Sequence, residues 1–242
     1  MIRAAFVALF CLCAGLTLAA APARSQQAGL RWQAVLVAGD NAQPVFDNAV
    51  SAMARWLAER GVPPDDIHRL SASPRDSQTE AASAAAVLRR IASLPARPGM
   101  GCFVFITSHG KRGQGIRLAY SGEYLQPAAL AQALSAGCGA APTVVIASGC
   151  FTGAFVGGGM QAPNRIILTA ARADRTSFGC AADRTYTVFD ECLLGALPRA
   201  ANWRGVFATT QSCVAGNERA LHAQPSQPQA AFGAAVTALA VR

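Results

Sequence analysis

Charge and aromatic surface are both scarce in this chain: Asp, Glu, Lys and Arg supply 14% of its 242 residues, and Phe, Trp and Tyr only 7%. The basic residues give a formal net charge of +8, but they are scattered, with no stripe of interleaved aromatics. No nucleic-acid surface is therefore expected, and the charge reads as a solubility term. Histidine is rarer still. His68, His109 and His222 lie far apart, and no Cys-x-x-Cys pair exists, so neither a metal nor a cofactor has the spacing to support it. Gly157-Gly158-Gly159 lacks the following Lys-Ser/Thr of a phosphate loop. There is no internal repeat and no linker long enough to divide the chain. With 52% apolar residues, what remains is a globular domain large enough to bury a core.

Beyond the first 20 residues no window of 18 is uninterruptedly apolar. The beginning itself has an early Arg3, an apolar run from Ala4 to Ala20, and small residues around Ala21-Pro22-Ala23. That is the pattern of a secretory signal peptide over residues 1–23, followed by a single domain over 24–242. The mature protein is expected to be periplasmic or secreted, with no stable membrane insertion after cleavage. Neither Cys11 nor Cys13 follows the Leu-small-small run of a lipid-anchored cysteine. Export leaves six cysteines in an oxidising compartment: Cys102, Cys138, Cys150, Cys180, Cys192 and Cys213.

The elements alternate. Trp32 to Val37 reads as a buried strand, and Phe46, Ala49, Val50, Met53, Trp56 and Leu57 carry helical spacing up to Gly61. Ile67 to Leu70 predicts a second strand. Ser77-Gln78-Thr79-Glu80 reads as a capping box opening an Ala-rich helix to about Leu94, ended by Pro95 and Pro98. Further strands are expected at Cys102–Thr107, Thr143–Ala147 and Arg165–Thr169. Helices are expected at Gln126–Leu134, Tyr186–Leu197 and Trp203–His222. The run Gly113-x-Gly115 reads as a basic turn, and Pro225 to Gln229 as a loop before a last apolar segment. Alternating strands and helices imply a mostly parallel α/β sheet covered on both faces.

Such sheets place their sites beyond the carboxyl ends of the strands. Two of those ends read Ser108-His109-Gly110 and Ser148-Gly149-Cys150. A thiolate can attack a carbonyl while an imidazole protonates the leaving group. The flanking glycines leave backbone N–H groups free to face a developing oxyanion. Each residue also has a plainer reading, a core histidine or a half-cystine.

Three ordered runs resemble the legumain-like cysteine peptidases of the caspase-type fold: Phe103-Val-Phe-Ile-Thr-Ser-His109-Gly110, Val144-Val-Ile-Ala-Ser-Gly-Cys150-Phe-Thr-Gly153, and Thr169-Ala-Ala-Arg-Ala-Asp-Arg-Thr-Ser-Phe-Gly-Cys180. The resemblance implies a caspase-like three-layer α/β/α sandwich. It implies His109 as general acid/base, Cys150 as nucleophile, an oxyanion hole from the amides of Gly110 and Cys150, and Thr176 and Ser177 lining the primary pocket. The implied partner is a peptide or protein substrate; the oligomeric state is not legible.

After the first strand the family has an Asn that orients the histidine and an Arg in the pocket, where this chain reads Val45-Phe46-Asp47-Asn48. Asp47 in that pocket would favour a Lys or Arg substrate side chain. Equally, Asp47 would suit the first turn of its helix. If Cys150 is free, Cys102 and Cys138 are a sensible bridge near the amino ends of adjacent strands, or Cys102 is a core thiol. Cys180, Cys192 and Cys213 then hold at most one more bridge, with no choice among them. Animal legumains carry a long C-terminal inhibitory region for which no matching length is expected here, so control would come from loop ordering, redox state or a separate inhibitor. Three activities stay open: hydrolysis through a thioester, transpeptidation by the same thioester, or a binding domain that keeps the fold and ties Cys150 into a disulfide.

Overall fold

The computed structural model describes residues 1, 29–95 and 97–241. The expected signal peptide, apart from Met1, lies outside them, and among the described residues no helix is long and apolar enough to cross a membrane.

Seven strands form the main sheet: β1 Arg31–Ala38, β2 Ile67–Ser71, β3 Thr79–Ala81, β4 Met100–Thr107, β8 Thr143–Ser148, β9 Arg165–Thr169 and β10 Gln229–Phe232. Their spatial order is β10-β9-β8-β4-β1-β2-β3, parallel throughout except for β10 at one edge. Strand residues alternate between two cores, as the two-residue period of a strand requires. One face sends Leu36, Phe103, Phe105, Val144 and Ile146 into a cluster with the helices α1 Val45–Glu59, α4 Val188–Ala196 and α5 Trp203–Ala220. The other sends Val35, Val104, Ile106, Val145 and Ile167 against α2 Ala84–Ala92 and α3 Pro127–Gly137. The result is the three-layer α/β/α sandwich, and the buried central strands explain why their sequences read as apolar runs without alternation.

Register fixes the site. β4 and β8 pair from Cys102↔Thr143 to Thr107↔Ser148, so both chains leave the sheet at the same level. The disulfide Cys102–Cys138 lies at the opposite rim, and Cys192–Cys213 joins α4 to α5. Cys150 and Cys180 are the free thiols among the described residues.

One segment differs from the sequence expectation. The Ser77-Gln78-Thr79-Glu80 box opens no helix: Thr79–Ala81 pairs with β2, the Thr79 hydroxyl donates to Asp76 at 2.8 Å, and Glu80 is taken by Arg90. Ser83 caps α2 instead, its hydroxyl accepting the Ala86 N–H at 3.1 Å. A local capping pattern lost here to a strand pairing formed across sequence. The basic turn expected around Gly113-x-Gly115 is present over residues 112–114, with Gly113 at φ +73°, and it joins the first two strands of a three-stranded antiparallel sheet, β5 Gly110–Lys111, β6 Gly115–Leu118 and β7 Glu123–Leu125.

Candidate active site

His109 stands two residues beyond β4 and Cys150 two residues beyond β8, both half-buried. Their loops are drawn together by three backbone approaches. The Ser108 N–H donates to the Ser148 carbonyl at 3.0 Å, extending the ladder past the strands. A β-carbon on Gly149 would sit 2.4 Å from the Ser108 carbonyl oxygen, and one on Gly110 only 1.9 Å from the Cys150 carbonyl oxygen. Only glycine permits that contact, so the residue after the histidine is packed directly on the backbone of the cysteine.

The imidazole is steered by its surroundings. Its ring meets Phe46 edge-on at 5.3 Å between centroids, and the His109 carbonyl accepts the Arg117 N–H from β6 at 2.8 Å. The position where the family has a histidine-orienting Asn is Val45, which is buried, so an aromatic contact stands where a hydrogen bond would. Arg117 in turn pairs with the buried Asp40 just past β1 at 3.0 Å.

The cysteine is seated by the third motif. The Ser177 N–H donates to Cys150 Sγ at 3.3 Å, and the thiol approaches the Ser177 carbonyl at 3.6 Å. Phe151 N–H donates to the Arg175 carbonyl at 2.8 Å, and a β-carbon on Gly153 would lie 2.4 Å from the Ala173 nitrogen. Phe151 itself holds a left-handed conformation, φ +61° and ψ +13°. Such strain in a non-glycine residue costs about 1–3 kcal/mol, and it lies directly after the thiol. Thr176 is exposed and makes no hydrogen bond among those described; Ser177 is the residue brought to the sulfur. Asp47 is in the first turn of α1, where its carboxylate accepts the Ser71 hydroxyl at 2.8 Å from the end of β2.

Sequence reading did not single out Asp190. It is fully buried in the first turn of α4, and its carboxyl accepts the Thr107 hydroxyl at 2.7 Å, with the Ser148 and Thr187 hydroxyls also facing it. Burial pushes its pKa up, against the opposing pull of those hydroxyls, and one carboxyl oxygen has no hydrogen-bond partner. Asp190 thus lies beneath the last residues of both site-bearing strands. Its only sequence signal is an acidic residue three places after the N-capping Thr187, which suits any helix start. Cys180 was in the third motif, but its state was not legible. Burial, aided by negative charge at Cys150, Asp190 and Asp40, pushes its thiol up to about 11. Among the described residues no group of three or more His, Cys, Asp or Glu side chains is placed to hold a metal.

A mostly parallel three-layer sandwich with a free thiol and an imidazole loop on one carboxyl rim has the arrangement of the caspase fold. Among solved structures the chain is similar to caspase-1 from Spodoptera frugiperda, at a TM-score of 0.59 and 11% identity, over 85% of this chain and 87% of that one; at that identity the likeness is one of fold. Residues 94–197 match the Peptidase C13 family, a span that holds both site loops, Ser177, Cys180 and Asp190. The chain is thus similar to the Peptidase C13 family over that span, and its fold is caspase-like. No curated protein matches it.

Proposed function

We propose that the chain is an exported cysteine endopeptidase, with residues 1–23 as its signal peptide and 24–242 as its peptidase domain. The observation that carries the reading is the packing of Gly110 on the Cys150 carbonyl, which leaves no slack between the histidine loop and the thiol loop. The free state of Cys150 supports it against a binding domain with that sulfur bridged.

The thiol transfers its proton to His109, and the thiolate is held by the Ser177 N–H until it attacks the scissile carbonyl. The amides of Gly110 and Cys150 receive the oxyanion, for which a single such donor is worth about 10²–10³ in rate. The imidazolium protonates the departing amine, leaving a thioester on Cys150. Neutral His109 then takes a proton from water as it attacks the thioester, and the acid product leaves with the thiolate restored. In the structure the thiol is bonded to Ser177 and not to the imidazole, an arrangement in which the catalytic hydrogen bond tightens only with substrate.

Asp47 in the first turn of α1 supports a Lys or Arg before the scissile bond. Its partner, the Ser71 hydroxyl, is neutral and can give way to a cationic side chain. Cys150→Ala and His109→Ala are each expected to abolish hydrolysis of a peptide library, with an acyloxymethyl ketone labelling Cys150 selectively. Unchanged turnover in either variant rejects the assignment. Peptides varied only before the scissile bond test the pocket, and a preference for Asn over Lys and Arg removes the acidic-pocket reading.

A further inference from the structure

Arg165 opens β9 at the amino rim of the sheet, paired in register with Thr143. Arg165 is 3% exposed, yet among the described residues its side chain makes one hydrogen bond, from Nη1 to the Met160 carbonyl at 2.6 Å, and its buried Nε has no partner there. None of the six ion pairs among the described residues involves it. A buried guanidinium without a carboxylate is costly, and burial lowers its pKa accordingly. It lines a cavity of about 580 Å³ at the β10 edge, walled by Val156, Ala162, Pro163, Ala231, Phe232 and the polar Gln161, and no Asp or Glu contributes to the lining.

We propose that this cavity is a binding site for a carboxylate with a small apolar body, the acid group pairing with Arg165 and the apolar part lying against Val156, Ala162 and Phe232. The volume lies within the range of small-molecule sites, and one charged group among apolar walls is their usual composition. A guanidinium donor suits a carboxylate, and pairing it would neutralise the buried charge. An inorganic phosphate has no apolar part to fill the rest of the cavity. Phe232 is also overlaid by the Arg204 guanidinium at 4.4 Å, which adds positive potential on the outer side. About 13 Å of strand separates Arg165 from the carboxyl end of β9, so the site is distinct from the catalytic rim. A free organic acid and the C-terminal carboxylate of a peptide ending in an apolar residue share this chemistry.

The test is calorimetric titration of the Cys150→Ala protein, in which no turnover competes, with benzoate, benzamide, phosphate, and a tripeptide ending in Phe as acid or as amide. Benzoate is expected to bind at one site, at least about tenfold tighter than benzamide or phosphate, a gap of about 1.4 kcal/mol. Arg165→Met is expected to abolish that preference, and Arg165→Lys to retain part of it. Should Arg165→Met fail to fold, Ala162→Leu, which fills the cavity and leaves the cation, is expected to weaken benzoate by about tenfold or more. A peptide acid that outcompetes benzoate assigns the site to chain termini, and equal or weaker binding assigns it to free acids. Equal binding of benzoate and benzamide, no benzoate binding at all, or benzoate binding untouched by Ala162→Leu overturns the proposal.

Discussion

The two rims of the sheet share close backbone packing and differ in the state of their cysteines. At the amino rim the covalent bond Cys102–Cys138 ties the start of β4 to the end of α3, beside a backbone approach in which a β-carbon on Gly137 would sit 1.9 Å from the Ile91 carbonyl oxygen. At the carboxyl rim the loops are held by close backbone approaches, a strained Phe151 and a buried acid, and both free thiols lie there. Close backbone packing serves both rims; what differs is that the amino rim carries a covalent bond while the carboxyl rim keeps its two thiols free. A catalytic thiol cannot be bridged, so positions near it must be fixed by packing and hydrogen bonds.

The largest way to break this comparison is at the amino rim. Cys102→Ala with Cys138→Ala releases a loop with a sequence separation of 36. The expected loss is about 4 kcal/mol in a denaturant titration, with hydrolysis by the folded fraction unchanged. A matching loss of activity per folded molecule would show that the rims are coupled.

Gly110→Ala reverses the pattern. Its new methyl would overlap the Cys150 carbonyl, and kcat/KM on a peptide substrate is expected to fall by about 100-fold or more as the histidine loop is pushed away. Gly157→Ala, on the following loop with nothing within 4 Å, is the control and is expected to change neither activity nor stability measurably.

Asp190→Asn sharpens the comparison through pH. The carboxyl has a raised pKa in the fold, so its contribution to stability is complete below the ordinary value of 3.8 and is lost as pH rises toward the raised one. Asparagine has no charge to bury and can still accept from Thr107. The variant is expected to show a flatter stability curve across that window, the slope removed being about 1.4 kcal/mol per pH unit. A curve parallel to that of the parent protein would mean that Asp190 does not resist ionisation.

The smallest effect separates the two thiols. With its pKa pushed up to about 11, Cys180 is expected to resist iodoacetamide near neutral pH and to gain reactivity about tenfold per pH unit on the way to that value. Peptide mass mapping reads it directly. Labelling of Cys180 at about pH 7 as fast as Cys150 would remove the distinction.

Much of this is legible in the chain alone. Phe103 to Thr107 and Thr143 to Ala147 are apolar runs that can be little else than buried strands, and the residues that follow them had to emerge at one rim. Ser77 to Glu80 misleads because a capping box is a local signal, while β3 exists through its pairing with Arg69 to Ser71. β10 escapes notice for the same reason: Gln229 to Phe232 is four residues long, and it is a strand because Ile166 to Thr169 offers an open edge. Cys192 and Cys213 could not be paired from the chain because their partnership depends on how α4 and α5 pack.

The order of the residues by itself determined the parallel α/β class, the rim that carries chemistry, and the His109 and Cys150 loops, because hydrophobic period and strand ends are properties of a short stretch of chain. Only the tertiary structure decided which cysteines are bonded, that Ser177 faces the sulfur while Thr176 does not, that Asp190 is buried under both loops, and that Arg165 has no carboxylate beside it. Those facts depend on side chains that approach from distant parts of the sequence, and burial and electrostatic pairing have no local signature.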